Sequence, residues 1–84
     1  MQQIKIRVKL DKVLKDRGNM TQLDLVNKLN AAREQRGEQK KVRPAAISEF
    51  YNNQRKTLNK ELIEEIATVL EITDINELIE FYNY

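Results

Sequence analysis

Two groups of cationic side chains flank a short segment near the middle of the chain. Lys40, Lys41 and Arg43 precede the segment, and Arg55 and Lys56 follow it. The segment between them carries short side chains at Pro44, Ala45, Ala46 and Ser48. Cationic groups bind phosphate oxygens, and short side chains let a helix backbone approach base edges closely. The pattern therefore indicates a surface for a polyanion such as double-stranded DNA.

Charge is distributed unevenly along the chain, although the net charge is only +2. Residues 1–56 contain 14 Lys and Arg against 6 Asp and Glu, whereas residues 57–84 contain one lysine against 7 acids. A basic and an acidic half in one small protein favour a face that binds a polyanion. The alternative is two solvated surfaces whose charges are segregated by chance.

The composition excludes several kinds of site. The chain has no cysteine and no histidine, which excludes disulfides, zinc sites built from the usual ligands, thiol nucleophiles and imidazole bases. The acidic cluster Glu61, Glu64 and Glu65 has no further ligand at a usable spacing, so we expect a solvated helix face there. We therefore expect no metal ion, no cofactor and no enzymatic activity.

Length and hydropathy indicate one domain without membrane contact. A chain of 84 residues can bury one modest core, so residues 1–84 are expected to form a single domain. No apolar stretch approaches the roughly 20 residues of a membrane span, and no long apolar run of a secretory signal follows Met1. The absence of cysteine is compatible with a reducing compartment. We expect a cytoplasmic protein.

Helical periodicity begins near the N-terminus. Apolar residues from Ile4 to Leu14 recur at three- and four-residue steps, which predicts a first helix that ends at Gly18. Thr21 and Asp24 approximate a capping box and predict the start of a second helix.

A polar and basic stretch separates the second and third predicted helices. The helical pattern of the second helix extends through residues 31–34, and residues 36–43 are predicted to form an exposed loop. Pro44 suits the first turn of a third helix, and Asn52 and Asn53 suit its end.

Two further helices are predicted in the C-terminal part. Asn59 caps a fourth helix, whose apolar residues from Leu62 to Leu70 follow an i, i+3, i+4, i+7 pattern. Thr73 or Asp74 caps a short fifth helix. The apolar residues of this fifth helix are Ile75, Leu78, Ile79 and Phe81. Three aromatic residues on apolar stripes are predicted to pack in the core rather than stack on bases, namely Phe50, Tyr51 and Phe81.

These elements resemble a known DNA-binding family in order and in sequence. The matching pieces are residues 13–22 (VLKDRGNMTQ), Leu25-Val26, residues 42–50 (VRPAAISEF) and residues 62–70 (LIEEIATVL). Together they resemble the Cro/phage-repressor (XRE) helix-turn-helix family. The resemblance implies an all-α fold, namely a compact five-helix, lambda-repressor-like DNA-binding domain with an enlarged loop between helices 2 and 3.

The chain departs from the family pattern at two places. The family connects its second and third helices by a turn of about four residues, whereas twelve residues separate Leu29 from Val42 here. The family often ends its third helix with Glu-Asn-Gly, and the matching positions here are Tyr51-Asn52-Asn53. The insertion either lengthens the second helix or forms a basic wing that touches DNA. Its cations, which either contact phosphate or lie on a solvated loop, are Arg33, Arg36, Lys40 and Lys41.

The resemblance assigns roles by position. The residues that would face the bases are Pro44, Ala45, Ser48 and Glu49. The residues that would contact phosphate are Gln22, Arg43, Asn52, Gln54 and Arg55, and the flanking cations Lys40, Lys41 and Lys56 join them. Glu49 would accept a hydrogen bond from a cytosine amino group.

Two functions are compatible with the sequence. The first is a sequence-specific transcriptional regulator, a repressor of phage or mobile-element type in a bacterial or phage-infected cell. Such proteins often bind two-fold symmetric DNA sites as homodimers, and the candidate dimer contacts are Leu78, Ile79, Phe81 and Tyr82. The second is a protein-interaction module, antitoxin-like or antirepressor-like, that binds a regulatory protein partner without strong DNA binding.

Overall fold

Four α-helices and a two-stranded antiparallel sheet make up residues 3–83, the part of the chain that the computed structural model describes. The helices are α1 (Leu10–Asp16), α2 (Gln22–Gln35), α3 (Pro44–Tyr51) and α4 (Lys60–Leu70). The strands are β1 (Ile4–Val8) and β2 (Ile79–Asn83), and a single 3-10 turn, Ile75–Glu77, precedes β2. The fold is therefore mixed, and the prediction of a five-helix, all-α domain is wrong.

The first helix was predicted to begin at Ile4, but the chain forms strand β1 there. Ile4, Ile6 and Val8 alternate with basic residues, which is the two-residue period of a strand. Their β-branched side chains also favour extended backbone. Strand β1 pairs with β2, with Ile6 opposite Phe81, and helix α1 begins only at Leu10.

The predicted fifth helix is replaced by the 3-10 turn and strand β2. The Asp74 carboxylate accepts a hydrogen bond from the backbone N–H of Asn76 at 2.9 Å, and the helical turn that it caps is a single one. From Ile79 the chain is extended and pairs with β1. Leu78 is 1% exposed and belongs to the core, whereas Phe81 is 74% exposed. The prediction that Phe81 packs in the core is therefore wrong.

The buried apolar residues form one core between the helices and the base of the sheet. Its fully buried side chains are Leu10, Leu25, Leu29, Ile47, Ile66 and Leu78. Val8 at the end of β1 and Phe50 on α3 belong to the same cluster. Because α2 and α3 both pack on this core, their solvent-facing sides are held in a fixed relation. Among residues 3–83, no helix combines the length and the apolar character needed to cross a membrane.

Most helix ends follow the local signals in the sequence. The Thr21 hydroxyl accepts a hydrogen bond from the N–H of Asp24, and the Asp24 carboxylate accepts one from the N–H of Thr21, both at 3.0 Å. Pro44 is the first residue of α3, and the Asn59 side chain caps α4. Gly18, after α1, has a φ of 78° that glycine adopts without steric cost. These predictions are confirmed.

Candidate nucleic-acid interface

Helix α3 presents short side chains to solvent. Ile47 and Phe50 anchor its opposite side in the core. The predicted base-facing residues lie on its exposed or half-buried side, at Pro44, Ala45, Ser48 and Glu49. Ser48 and Glu49 follow Ala45 by three and four residues, so the three share one helix face. The structure therefore brings this predicted set together on one surface.

Glu49, the charged member of this set, forms an ion pair with Arg55. The distance between Glu49 Oε1 and Arg55 Nη1 is 2.7 Å, and both side chains are about half exposed. An ion pair in water contributes at most about 1 kcal/mol. A phosphate or a base amino group can therefore compete for either partner.

Four of the predicted phosphate-binding cations have exposed side chains without an ion-pair partner among residues 3–83. They are Lys40, Lys41, Arg43 and Lys56. Arg43 is the N-cap residue of α3, and Lys56 lies in the turn that follows it. Cationic side chains therefore stand before and after α3, where they can bind phosphates on either side of a groove.

The insertion loop, residues 36–43, is fixed to helix α2 by Asn30. The backbone N–H of Val42 donates to Asn30 Oδ1 at 2.7 Å, and Asn30 Nδ2 donates to the carbonyl of Val42 at 3.3 Å. The side chain of Val42 is buried in the core. These contacts fix the chain between Lys41 and Arg43, so both cations project from an anchored backbone.

Arg33 binds the insertion loop to helix α4. Its Nε and Nη2 donate to the two carboxylate oxygens of Glu65, both at 2.8 Å, and its Nη1 donates to the carbonyl of Lys40 at 2.9 Å. Arg36 lies 3.6 Å from the same carboxylate. Arg33 and Arg36 therefore hold the loop in place, and Lys40 and Lys41 are the insertion cations that face solvent.

Hydrogen bonding sets the ionisation of this contact. The Arg33 guanidinium holds the pKa of Glu65 below its ordinary value, although partial burial of the carboxyl acts in the opposite direction. The same hydrogen bonds raise the pKa of Arg33. Both groups are therefore charged at neutral pH, and the contact is a charge-assisted, bidentate pair.

The polar residues predicted to contact phosphate are placed differently from one another. Gln22 is half-buried at the start of α2. The Asn52 amide donates to the carbonyl of Ser48 at 2.9 Å and so stabilises the end of α3. Gln54 is exposed in the following turn. Gln54 thus faces solvent freely, whereas the amide nitrogen of Asn52 is engaged within the helix.

Asn53 connects the end of α3 to strand β1, a role that the sequence pattern did not predict. Its φ of 57° is left-handed, as expected for an asparagine that ends a helix. The N–H of Val8 donates to Asn53 Oδ1 at 2.6 Å, and Asn53 Nδ2 donates to the carbonyl of Val8 at 3.1 Å. The asparagine signalled the helix end, but its partner lies 45 residues away in the sequence.

The predicted dimer contacts do not form one surface. Leu78 is buried in the core of its own chain and is therefore not available for a dimer contact. Ile79 and Tyr82 are half-buried in β2, and Arg7 lies over the Tyr82 ring, 5.0 Å from its centroid. Phe81 is the most exposed of the four.

Comparisons with known proteins find no counterpart for this arrangement. No protein-family model matches the chain, and no curated protein and no solved structure matches it. The functional interpretation of the interface is therefore a proposal that rests on its geometry and charge.

Proposed function

We propose that this chain binds double-stranded DNA sequence-specifically and regulates transcription, as a repressor of phage or mobile-element type. The observation that carries the proposal is the short-side-chain face of α3 with unpaired cations before and after it. An α-helix fits the major groove of B-DNA, which is about 12 Å wide. With α3 in the groove, Arg43 and Lys56 bind phosphates on either side, and Gln22 adds a contact from the start of α2. The site of action is the DNA in the cytoplasm of a bacterial or phage-infected cell.

The residues that face the bases have distinct roles in this proposal. Ala45 contacts a thymine methyl group, Ser48 donates or accepts a hydrogen bond, and Glu49 accepts one from a cytosine amino group. Few long side chains face the groove, so phosphate contacts supply most of the affinity. We therefore expect binding that weakens steeply as the salt concentration rises.

Selection of bound sequences from a random duplex pool at physiological salt tests the proposal. The full chain is expected to enrich one motif, and Arg43→Ala and Lys56→Ala are expected to weaken binding to it. The matched control is Lys12→Ala, because Lys12 lies in a hollow with Asp16 and Asp74 and its loss removes the same charge. Failure to enrich a motif, or equal losses in all three variants, contradicts the proposal.

The second candidate is a protein-interaction module, antitoxin-like or antirepressor-like. The observation that favours it is Glu49, which places a negative charge on the face that would enter the groove and is already bound by Arg55. This candidate predicts weak DNA affinity, a shallow salt dependence, and a regulatory protein partner bound at the acidic half of the chain.

A further inference from the structure

The exposed apolar residues of the sheet lie on one of its faces. Ile6 stands directly opposite Phe81, and Ile4 is two residues before Ile6. Residues two apart in a strand point to the same side. The exposed fractions of Ile4, Ile6 and Phe81 are 67%, 55% and 74%. These three residues, which we call the apolar face, form a patch of a few hundred Å², the size at which the largest patches of monomers are often functional.

The opposite face of the sheet carries the charges. Arg7 forms an ion pair with Glu80 and lies over the ring of Tyr82. Lys9 lies 3.5 Å from the same carboxylate. Because the charged groups occupy this side, the apolar faces of two copies can meet without bringing like charges together.

A groove of about 240 Å³ opens next to the apolar face, between β1 and the end of α3. Its apolar walls are Ile6, Val8, Phe50 and Leu58. An apolar cavity of about 150 Å³ accommodates benzene, so this groove has room for a phenyl ring. Phe81 does not line the groove of its own chain, yet it exposes a phenyl ring on the same face of the sheet.

We propose that the apolar face is a homodimer interface, in which Phe81 of each copy packs into the groove of the other. A two-fold axis forms this contact twice, so each copy supplies one ring and one groove. The packing also covers Ile4 and gives a second layer to a two-stranded sheet, which is marginally stable by itself. The inference goes beyond DNA binding and does not depend on it. Where both hold, the DNA site has two-fold symmetry.

Sedimentation equilibrium of the full chain without DNA tests the proposal. The chain is expected to show a monomer–dimer equilibrium, and Phe81→Ser is expected to raise its dissociation constant by about tenfold or more. Ile75→Ser is the matched control, because Ile75 is a 62% exposed residue outside the sheet, and it is expected to leave the constant unchanged. Thermal unfolding of each variant shows that the fold is retained.

Disulfide formation between single-cysteine variants tests the contact itself, since the natural chain has no cysteine. Phe81→Cys mixed with Leu58→Cys is expected to form a mixed disulfide under mild oxidation, whereas Ile75→Cys mixed with Leu58→Cys is not. A chain that stays monomeric at millimolar concentration overturns the proposal, even if another protein binds the apolar face. A dimer that Phe81→Ser does not weaken, or a Phe81→Cys mixture without a mixed disulfide, also overturns it.

Discussion

Two asparagine side chains connect helix α3 to its surroundings. Asn30 binds both polar backbone groups of Val42, before the helix, and Asn53 binds both groups of Val8 after it. A side-chain amide has a donor and an acceptor like those of a peptide group, so each asparagine takes the place of a neighbouring strand. The position of the DNA-facing residues therefore depends on two residues outside the proposed interface.

Asn53→Gly tests this role at the end of α3. Glycine keeps the left-handed backbone but removes the amide, which leaves the N–H and carbonyl of partly buried Val8 without their partner. We expect a loss of about 1–3 kcal/mol in the free energy of unfolding, measured by urea denaturation. Asn52→Ala is the control, because its amide bonds lie at the surface, and its expected change is within about 0.5 kcal/mol. Equal losses would contradict the role of Asn53.

Glu65→Gln tests the contact between the insertion loop and α4 through its pH dependence. The pKa of Glu65 is lowered in the folded chain, so the unfolded chain takes up the proton first as the pH falls. The stabilisation is therefore complete at neutral pH and is lost as the pH falls from about 4.3, the ordinary glutamate value, through the folded pKa. Thermal unfolding between neutral and acidic pH should show a steeper loss in the natural chain than in Glu65→Gln. Parallel profiles would contradict this assignment.

At the scale of elements, helix α2 and the insertion loop behave as one unit. The insertion lengthens α2 to Gln35, which was one of the two expected alternatives, and the remaining residues turn back at Gly37, where φ is 79°. Asn30 and Arg33, both on α2, then bind the returning chain. The loop that carries Lys40 is thus held against the body of the protein.

Asn30→Ala tests whether this arrangement positions the loop lysines for DNA. We expect lower DNA affinity and a shallower salt dependence, approaching those of the Lys40→Ala/Lys41→Ala double variant, which loses about one unit of salt slope per phosphate contact. In the double-variant background Asn30→Ala should have no further effect. Fluorescence anisotropy with duplex DNA measures both quantities. Asn27→Ala, an exposed asparagine on the same helix, is the control, and additive losses would count against a positioning role.

The sequence predicted elements whose signals are local and missed those that depend on distant partners. Thr21 finds its capping partner three residues away, and the start of α3 is signalled by Pro44 itself. Strand β1 alternates apolar and basic residues, but the four-residue step from Ile4 to Val8 also suits a helix. The pairing that decides between them comes from β2, at the other end of the chain.

The same distinction holds within the proposed interface. The solvent-facing side of α3 follows from helical spacing around Ile47 and Phe50, so its residues were predicted together. Arg33 was predicted as one of the loop cations, yet its partner Glu65 lies 32 residues away and on another helix. Helical periodicity marks both residues as outward-facing and contains no information on their pairing.

At the scale of the whole molecule, the principal dimensions are 48 × 26 × 21 Å, and different surfaces carry different chemistry. Unpaired cations lie around α3, apolar side chains lie on one face of the sheet, and acidic residues dominate α4. The groove proposed to receive Phe81 is also lined by Arg55 and Lys56. The proposed dimer contact therefore borders the proposed DNA contact, and dimerisation would bring the post-α3 cations of two copies towards the two-fold axis.

The most direct test of DNA binding by α3 is an NMR titration of the full, isotope-labelled chain with the duplex that it enriches. We expect the largest changes in amide chemical shift at residues 40–56 and at the start of α2. The 3-10 turn at Ile75–Glu77 and the second half of α4 should change little. Changes centred on α4 or the 3-10 turn, with none in α3, would contradict the proposal that this helix enters the groove.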